Sequence, residues 1–95
     1  MPATRSGPGL DPRRRRLRYR MWHRGTREMD LILGRFADAE IAAISEAEIA
    51  ELERLCDVAD AELYDCIVGD GPAPAGCDGA VLRRLRAFHA LKAPR

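Results

Sequence analysis

No Cys-x-x-Cys pair occurs in this chain, and its three cysteines, Cys56, Cys66 and Cys77, are an odd number. A disulfide framework is therefore not expected, and a reducing cytoplasm or matrix suits the thiols better. The two histidines, His23 and His89, stand far apart and share no metal-ligand spacing with the cysteines, so no zinc site is expected. Aromatic residues are only 5% of the total, which leaves aliphatic side chains to supply the packing. No apolar run approaches the ~20 residues of a membrane span, and the start lacks the apolar centre of a secretory signal. No segment alternates with period two, which argues against strands. Neither a nucleophile elbow nor a phosphate-binding loop is present, and Gly69-Asp70-Gly71-Pro72 has no phosphate-cradling helix behind it. A chain of 95 residues offers little volume for a substrate pocket. No cysteine has a basic residue as its immediate neighbour to activate it. An enzyme is not expected.

What is present is a segregated charge. The formal net charge is +1, yet residues 1–27 hold nine arginines against Asp11 alone, a net of +8. Residues 28–70 hold 13 acids against Arg35 and Arg54, a net of −11, and residues 71–95 return to +4. The chain is dipolar, so no general attraction to nucleic acid follows. An Arg-rich, acid-poor start is also the composition of an organelle transit peptide. Because Arg13 to Arg20 run directly into the central stretch, they are read as part of the mature protein.

The expected fold is all-α, a compact bundle of about five short helices over residues 12–91, between a disordered tail at 1–11 and a flexible end at 92–95. Asp11-Pro12 is a good helix start, with Asp as N-cap and Pro in the first turn. That helix reaches about His23 and turns Leu17, Met21 and Trp22 inward, and its arginine-rich first turn opposes the dipole and should fray. A second helix is predicted from about Thr26 to Ile44, with Gly34 inside it marking close helix packing. Ser45-Glu46-Ala47-Glu48 matches a capping box and opens a third helix. In it Ile49, Leu52, Leu55 and Cys56 face inward, while Glu46, Glu48, Glu51 and Glu53 face water. Asp60 caps a fourth helix carrying Leu63 and Ile67, and Gly69 stops it. Residues 69–78 form a loop, and a last helix from about Gly79 to Leu91 buries Leu82, Leu85 and Phe88 while exposing Arg83, Arg84 and Arg86.

The candidate site is the stretch from Trp22 to Asp30, where the basic arm meets the acidic body. Met29, Ile32, Leu33 and Phe36 recur at i, i+3, i+4, i+7 and make the buried stripe of an amphipathic helix. On that wheel Arg24, Glu28 and Arg35 share one outward flank, with Arg27 and Leu31 beside them and Asp30 on the other side. Gly25 lets another backbone approach closely, or lets the chain turn with positive φ. Glu28 sits in the first turn, where the dipole favours a carboxylate. The bland reading makes Arg24 and Glu28 a solvated pair stabilising by about 0.2–0.5 kcal/mol. The functional reading makes His23, Arg24, Gly25, Arg27, Glu28, Asp30, Leu31 and Arg35 a docking surface.

His23-Arg24-Gly25-Thr26-Arg27-Glu28-Met29-Asp30, followed by Leu33-Gly34-Arg35-Phe36, resembles the SdhE-type FAD assembly factors of succinate dehydrogenase, whose hallmark is R-G-x-x-E. The resemblance runs from about Arg14 to Phe88. It implies a five-helix protein, cytoplasmic in a bacterium or in the mitochondrial matrix of a eukaryote. Such a protein binds the flavoprotein subunit of succinate dehydrogenase and promotes covalent attachment of FAD to a histidine of that subunit. The flavin is then held by the partner, not stably by this chain, and fumarate reductase is a further candidate client. The hallmark roles carry over to Arg24, Gly25 and Glu28, and less directly to Asp30. Cys66 stands where many members have tryptophan, a departure that bears on packing of the fourth helix. The competing reading is a nucleic-acid-binding or antitoxin-like module using Arg13 to Arg20. Few aromatics accompany those arginines, so nucleic acid is not expected as a partner, and without a long apolar run no membrane insertion is expected.

Overall fold

A computed structural model describes residues 10–77 and 79–92, the latter range without the Lys92 side chain. Five helices follow one another: α1 (Pro12–Trp22), α2 (Arg27–Glu40), α3 (Glu46–Cys56), α4 (Asp60–Val68) and α5 (Ala80–Lys92). Among the described residues there is no strand, and the chain is all-α as expected. It divides into two compact units, one ending at Ser45 and one beginning at Glu46. Of the expected tail, residues 1–9 lie outside the described residues, as do 93–95 of the expected C-terminal segment. Leu10, placed in the tail by the sequence reading, is buried, and its carbonyl accepts a hydrogen bond from Arg15 Nη1.

The first unit is α1 packed on α2. Asp11 caps α1 as expected, its Oδ1 accepting from the Arg14 backbone N–H at 2.8 Å. That N–H, reinforced by the Arg14 charge, holds the Asp11 carboxyl below its ordinary value. The arginine-rich turn expected to fray is tied down instead, because Arg14 Nη1 donates to the carbonyls of Ile41 at 2.6 Å and Ile44 at 2.8 Å. The same bonds explain why α2 stops at Glu40, short of the expected Ile44. The Ala43 and Ile44 N–H groups both return to Glu40 O. Arg14 satisfies the carbonyl of the C-cap residue Ile41, which the helix end leaves without an intrahelical donor, and that of Ile44 in the turn beyond it.

Gly34 is buried, and a Cβ placed on it would overlap the six-membered ring of Trp22. This is the close packing that an interior glycine announced, with the indole of α1 as the partner. The ring is fixed from its edge as well. Trp22 Nε1 donates to Asp38 Oδ1 at 3.1 Å, and Arg18 Nε donates to the same oxygen at 2.7 Å. Two of the arginines of the basic arm, Arg14 and Arg18, thus join α1 to the α2 segment.

In the second unit α5 packs on α3 and on α4. Ile49, Leu52, Leu55 and Cys56 are buried as their spacing predicts. Glu51 departs from expectation. It is only 8% exposed, and its carboxylate oxygens lie where a Cβ on Gly79 would come within 2.6 Å. A carboxylate beside the start of α5 is favoured by the helix dipole, and the bare glycine leaves room for it. Among the described residues Glu51 Oε2 has no hydrogen-bond partner.

Ala59, not Asp60, is the N-cap of α4, and it supplies no side-chain bond, so Asp60 is the first helical residue. Gly69 ends α4 in an extended conformation (φ −101°, ψ −151°) instead of a left-handed one. A Cβ on Gly69 would meet the exposed Asp65 side chain at 2.8 Å and the Asp65 carbonyl oxygen at 3.1 Å. Arg86, expected to be exposed, is half-buried. Its Nε donates to Cys66 O at 2.6 Å and its Nη2 to Gly71 O at 3.4 Å, linking α5 to the end of α4 and its loop. Glu48 is likewise drawn in by Arg84, at 3.2 Å, and Phe88 is half-buried. Cys56, Cys66 and Cys77 are buried and not joined in disulfides, and burial pushes the Cys66 thiol above its ordinary value.

Candidate functional site

The joint between α1 and α2 is built by three local choices of sequence. His23 closes α1, its N–H donating to Arg20 O at 3.3 Å. Gly25 then takes φ +111°, a conformation that L side chains adopt only with strain. Thr26 opens α2 as N-cap, its Oγ1 accepting from Met29 N at 3.3 Å. The turn is closed by Asp30, whose Oδ1 accepts from the Arg24 backbone N–H at 2.6 Å. One carboxylate from the first turn of α2 therefore holds the loop that precedes it.

The joint is hollow. A groove of about 520 Å³ is lined by Trp22, His23, Gly25, Thr26, Arg27, Asp30 and Leu31. Five of the eight residues singled out from sequence meet in it: His23, Gly25, Arg27, Asp30 and Leu31. Arg24 lines a neighbouring hollow of about 200 Å³ with Tyr19, Arg20 and His23. Glu28 and Arg35 are exposed on α2 and line neither hollow. The expected flank of Arg24, Glu28 and Arg35 assumed a helix running through Arg24. Because α2 begins at Arg27, Arg24 is not on that wheel, and only Glu28, Leu31 and Arg35 keep the relationship.

Gly25 answers the choice that its sequence left open. The positive φ is realised, and nothing lies within 4 Å of the position a Cβ would occupy. The glycine is there for its backbone conformation, and its outer side is open. Asp30 has a role that sequence reasoning did not give it, as acceptor for the turn. Thr26 and Trp22 were missed as lining residues. Thr26 carried a faint N-cap signal without the acidic residue at N3 that completes a capping box. Trp22 was expected only to face inward, since its place at the groove depends on Gly34, 12 positions away.

Chemically the site offers backbone access, an apolar wall from Trp22 and Leu31, and flanking Arg27 and Asp30 charges. That is equipment for recognition of a surface. Among the described residues no group of histidines, cysteines and acids could hold a metal ion, and no helix is long and apolar enough to cross a membrane.

Residues 15–89 match the family described as the flavinator of succinate dehydrogenase. The chain is 37% identical over 76 residues to the FAD assembly factor SdhE of Acetobacter pasteurianus, covering 80% of this chain and 70% of that protein. It is 38% identical over 63 residues to the mitochondrial succinate dehydrogenase assembly factor 2 of Debaryomyces hansenii, covering 66% of this chain and 44% of the relative. With the Scheffersomyces stipitis protein of the same description it shares 40% over 63 residues, 42% of the relative's length. The chain thus spans less than half of these two mitochondrial relatives. No solved structure matches it.

Proposed function

This chain belongs to the flavinator of succinate dehydrogenase family, and we propose that it is an assembly factor that binds the flavoprotein subunit of that enzyme and promotes covalent attachment of FAD to it. It is a helper of another protein's modification and not a catalyst in its own right. The observation that carries the docking mode is the groove at the α1–α2 joint, where His23, Gly25, Arg27, Asp30 and Leu31 converge beside an open glycine. Exposed Glu28 and Arg35 extend the same surface along α2, and Arg24 extends it towards α1.

The mechanism follows from what such a surface can do. Attachment of the flavin to a histidine of the flavoprotein requires the two reacting groups to be held together. Positioning of that kind lowers a barrier by several kcal/mol without any group of the helper entering the reaction. The joint is suited to it, since the Asp30 bond to Arg24 and the Thr26 cap hold the backbone of the contact surface in one shape. FAD is held by the partner, and fumarate reductase is proposed as a further client. The chain works in the cytoplasm of a bacterium, or in the matrix if its source is a eukaryote. Nucleic acid is not a partner in this reading, which is supported by the internal use of Arg14 and Arg18.

The test combines purified flavoprotein subunit, FAD and this chain, and reads covalent flavin by in-gel fluorescence. Covalent flavin should appear faster with the chain than without it. An unchanged rate would overturn the proposal.

A further inference from the structure

The inner side of α1 is accounted for by Leu17 and Met21, with Arg14 and Arg18 leaning onto partners in the α2 segment. The outer side has its own pattern. Arg16, Tyr19, Arg20 and His23 recur at i, i+3, i+4, i+7, and all four are exposed. Tyr19 is 63% exposed, whereas Phe36 is fully buried and Trp22 is half-buried against Gly34. The Tyr19 ring does not move freely in water. It stacks on His23 with centroids 3.8 Å apart and planes 18° from parallel. His23 is fixed in turn, its Nδ1 lying 2.7 Å from Tyr19 O. A carbonyl oxygen only accepts, so Nδ1 carries the hydrogen in this contact and Nε2 is the ring nitrogen left to meet a visitor.

An aromatic pair held in place at the surface, with Arg16 and Arg20 on the same face, is a preformed recognition element. Tyrosine supplies contact area at little entropic cost, and arginine pairs with carboxylates in two-pronged fashion. Both residue types dominate the energetics of protein interfaces. Tyr19, Arg20, His23 and Arg24 line the open hollow of about 200 Å³, and His23 also lines the larger groove. The two concavities therefore share one lining side chain. The arm's net charge of +8 sets the sign of what can sit there.

We propose that the Arg16, Tyr19, Arg20, His23 face of α1 is a second contact area of the docking surface, which receives an acidic segment of the flavoprotein subunit. The proposal rests on the assembly-factor reading above. It assigns the aromatic pair to the apolar part of that segment and the two arginines to its carboxylates.

The experiment measures affinity of the full chain for purified flavoprotein subunit at low and physiological salt. Tyr19→Ala and the double variant Arg16→Glu/Arg20→Glu should each weaken binding by about tenfold or more. The double variant should also flatten the salt dependence, and Arg16→Lys/Arg20→Lys should stay closer to the parent. Unchanged helical circular dichroism verifies that these exposed substitutions leave the fold intact. Affinities within about twofold of the parent for Tyr19→Ala and the charge reversal would overturn this proposal. If Gly25→Leu still abolishes binding in that case, the assembly-factor docking stands and only the α1 contact falls. If Gly25→Leu also binds normally, the groove reading falls too. Should the charge reversal abolish binding to a mixed-sequence DNA duplex while leaving the flavoprotein affinity alone, the face serves nucleic acid and the proposal is overturned.

Discussion

The Arg24 backbone N–H and the Asp30 carboxylate meet at 2.6 Å across the Gly25 turn. The shape of the joint therefore depends on an acceptor one turn into the following helix. Asp30→Ala should release the turn and cost about 1–2 kcal/mol. Asp30→Asn keeps an acceptor oxygen without the charge and should recover most of that loss. Urea denaturation separates the two variants. If instead Asn behaves like Ala in stability, the charge and not the acceptor is what matters at position 30.

Gly25→Leu places a side chain in open space but at φ +111°. The expected strain is about 1–2 kcal/mol, and helical circular dichroism should persist. Covalent flavinylation of the partner should be lost, because the added side chain projects from the proposed docking surface. Loss of helical signal would return Gly25 to a purely structural role.

Gly34→Ala is expected to destabilise the first unit, although alanine is the better helix former by about 1 kcal/mol. The new methyl must displace the Trp22 ring and with it the Trp22 Nε1 bond to Asp38. Overpacking of this kind costs about 1–3 kcal/mol. Trp22 is the chain's one tryptophan, so its fluorescence reports the displacement directly in the same denaturation experiment.

The Asp11 cap gives a pH dependence with a defined sign. Its folded-state value is lowered from the ordinary 3.8, chiefly by the Arg14 backbone N–H. The contribution is thus complete above the ordinary value and is lost as pH falls through the depressed one. Asp11→Ala should be less stable than the parent at pH 7, and the gap should close below about pH 4. Parallel thermal melts across that range test it. A gap that stays constant down to pH 2 would mean that the carboxylate is not the source of the cap.

Most of the helical pattern was legible because it is written locally. Met29, Ile32, Leu33 and Phe36 have helical spacing, Asp11-Pro12 is a start signal, and residues 69–77 are full of breakers. What escaped depends on residues far apart in the chain. The end of α2 is set by Arg14 reaching Ile41 and Ile44. The burial of Glu51 depends on Gly79, and the half-burial of Arg86 on the carbonyls of Cys66 and Gly71. At the site, Gly25 was legible because only glycine takes its φ easily, whereas the Asp30 bond required knowing where α2 begins. The R-G-x-x-E resemblance picked out the stretch proposed to dock, but a wheel drawn through Arg24 misplaced that residue.

The reach of Arg14 to the far end of α2 also decides how the basic arm must be probed. A chain shortened to begin after residue 16 would shed positive charge, yet it would equally discard Asp11, Arg14 and the anchorage of Ile41 and Ile44. Whatever such a truncation failed to do would report a loosened helix pair as much as a missing electrostatic attraction. Point reversals at exposed Arg16 and Arg20 leave that clasp untouched, so they probe the arm's charge without unfastening α2.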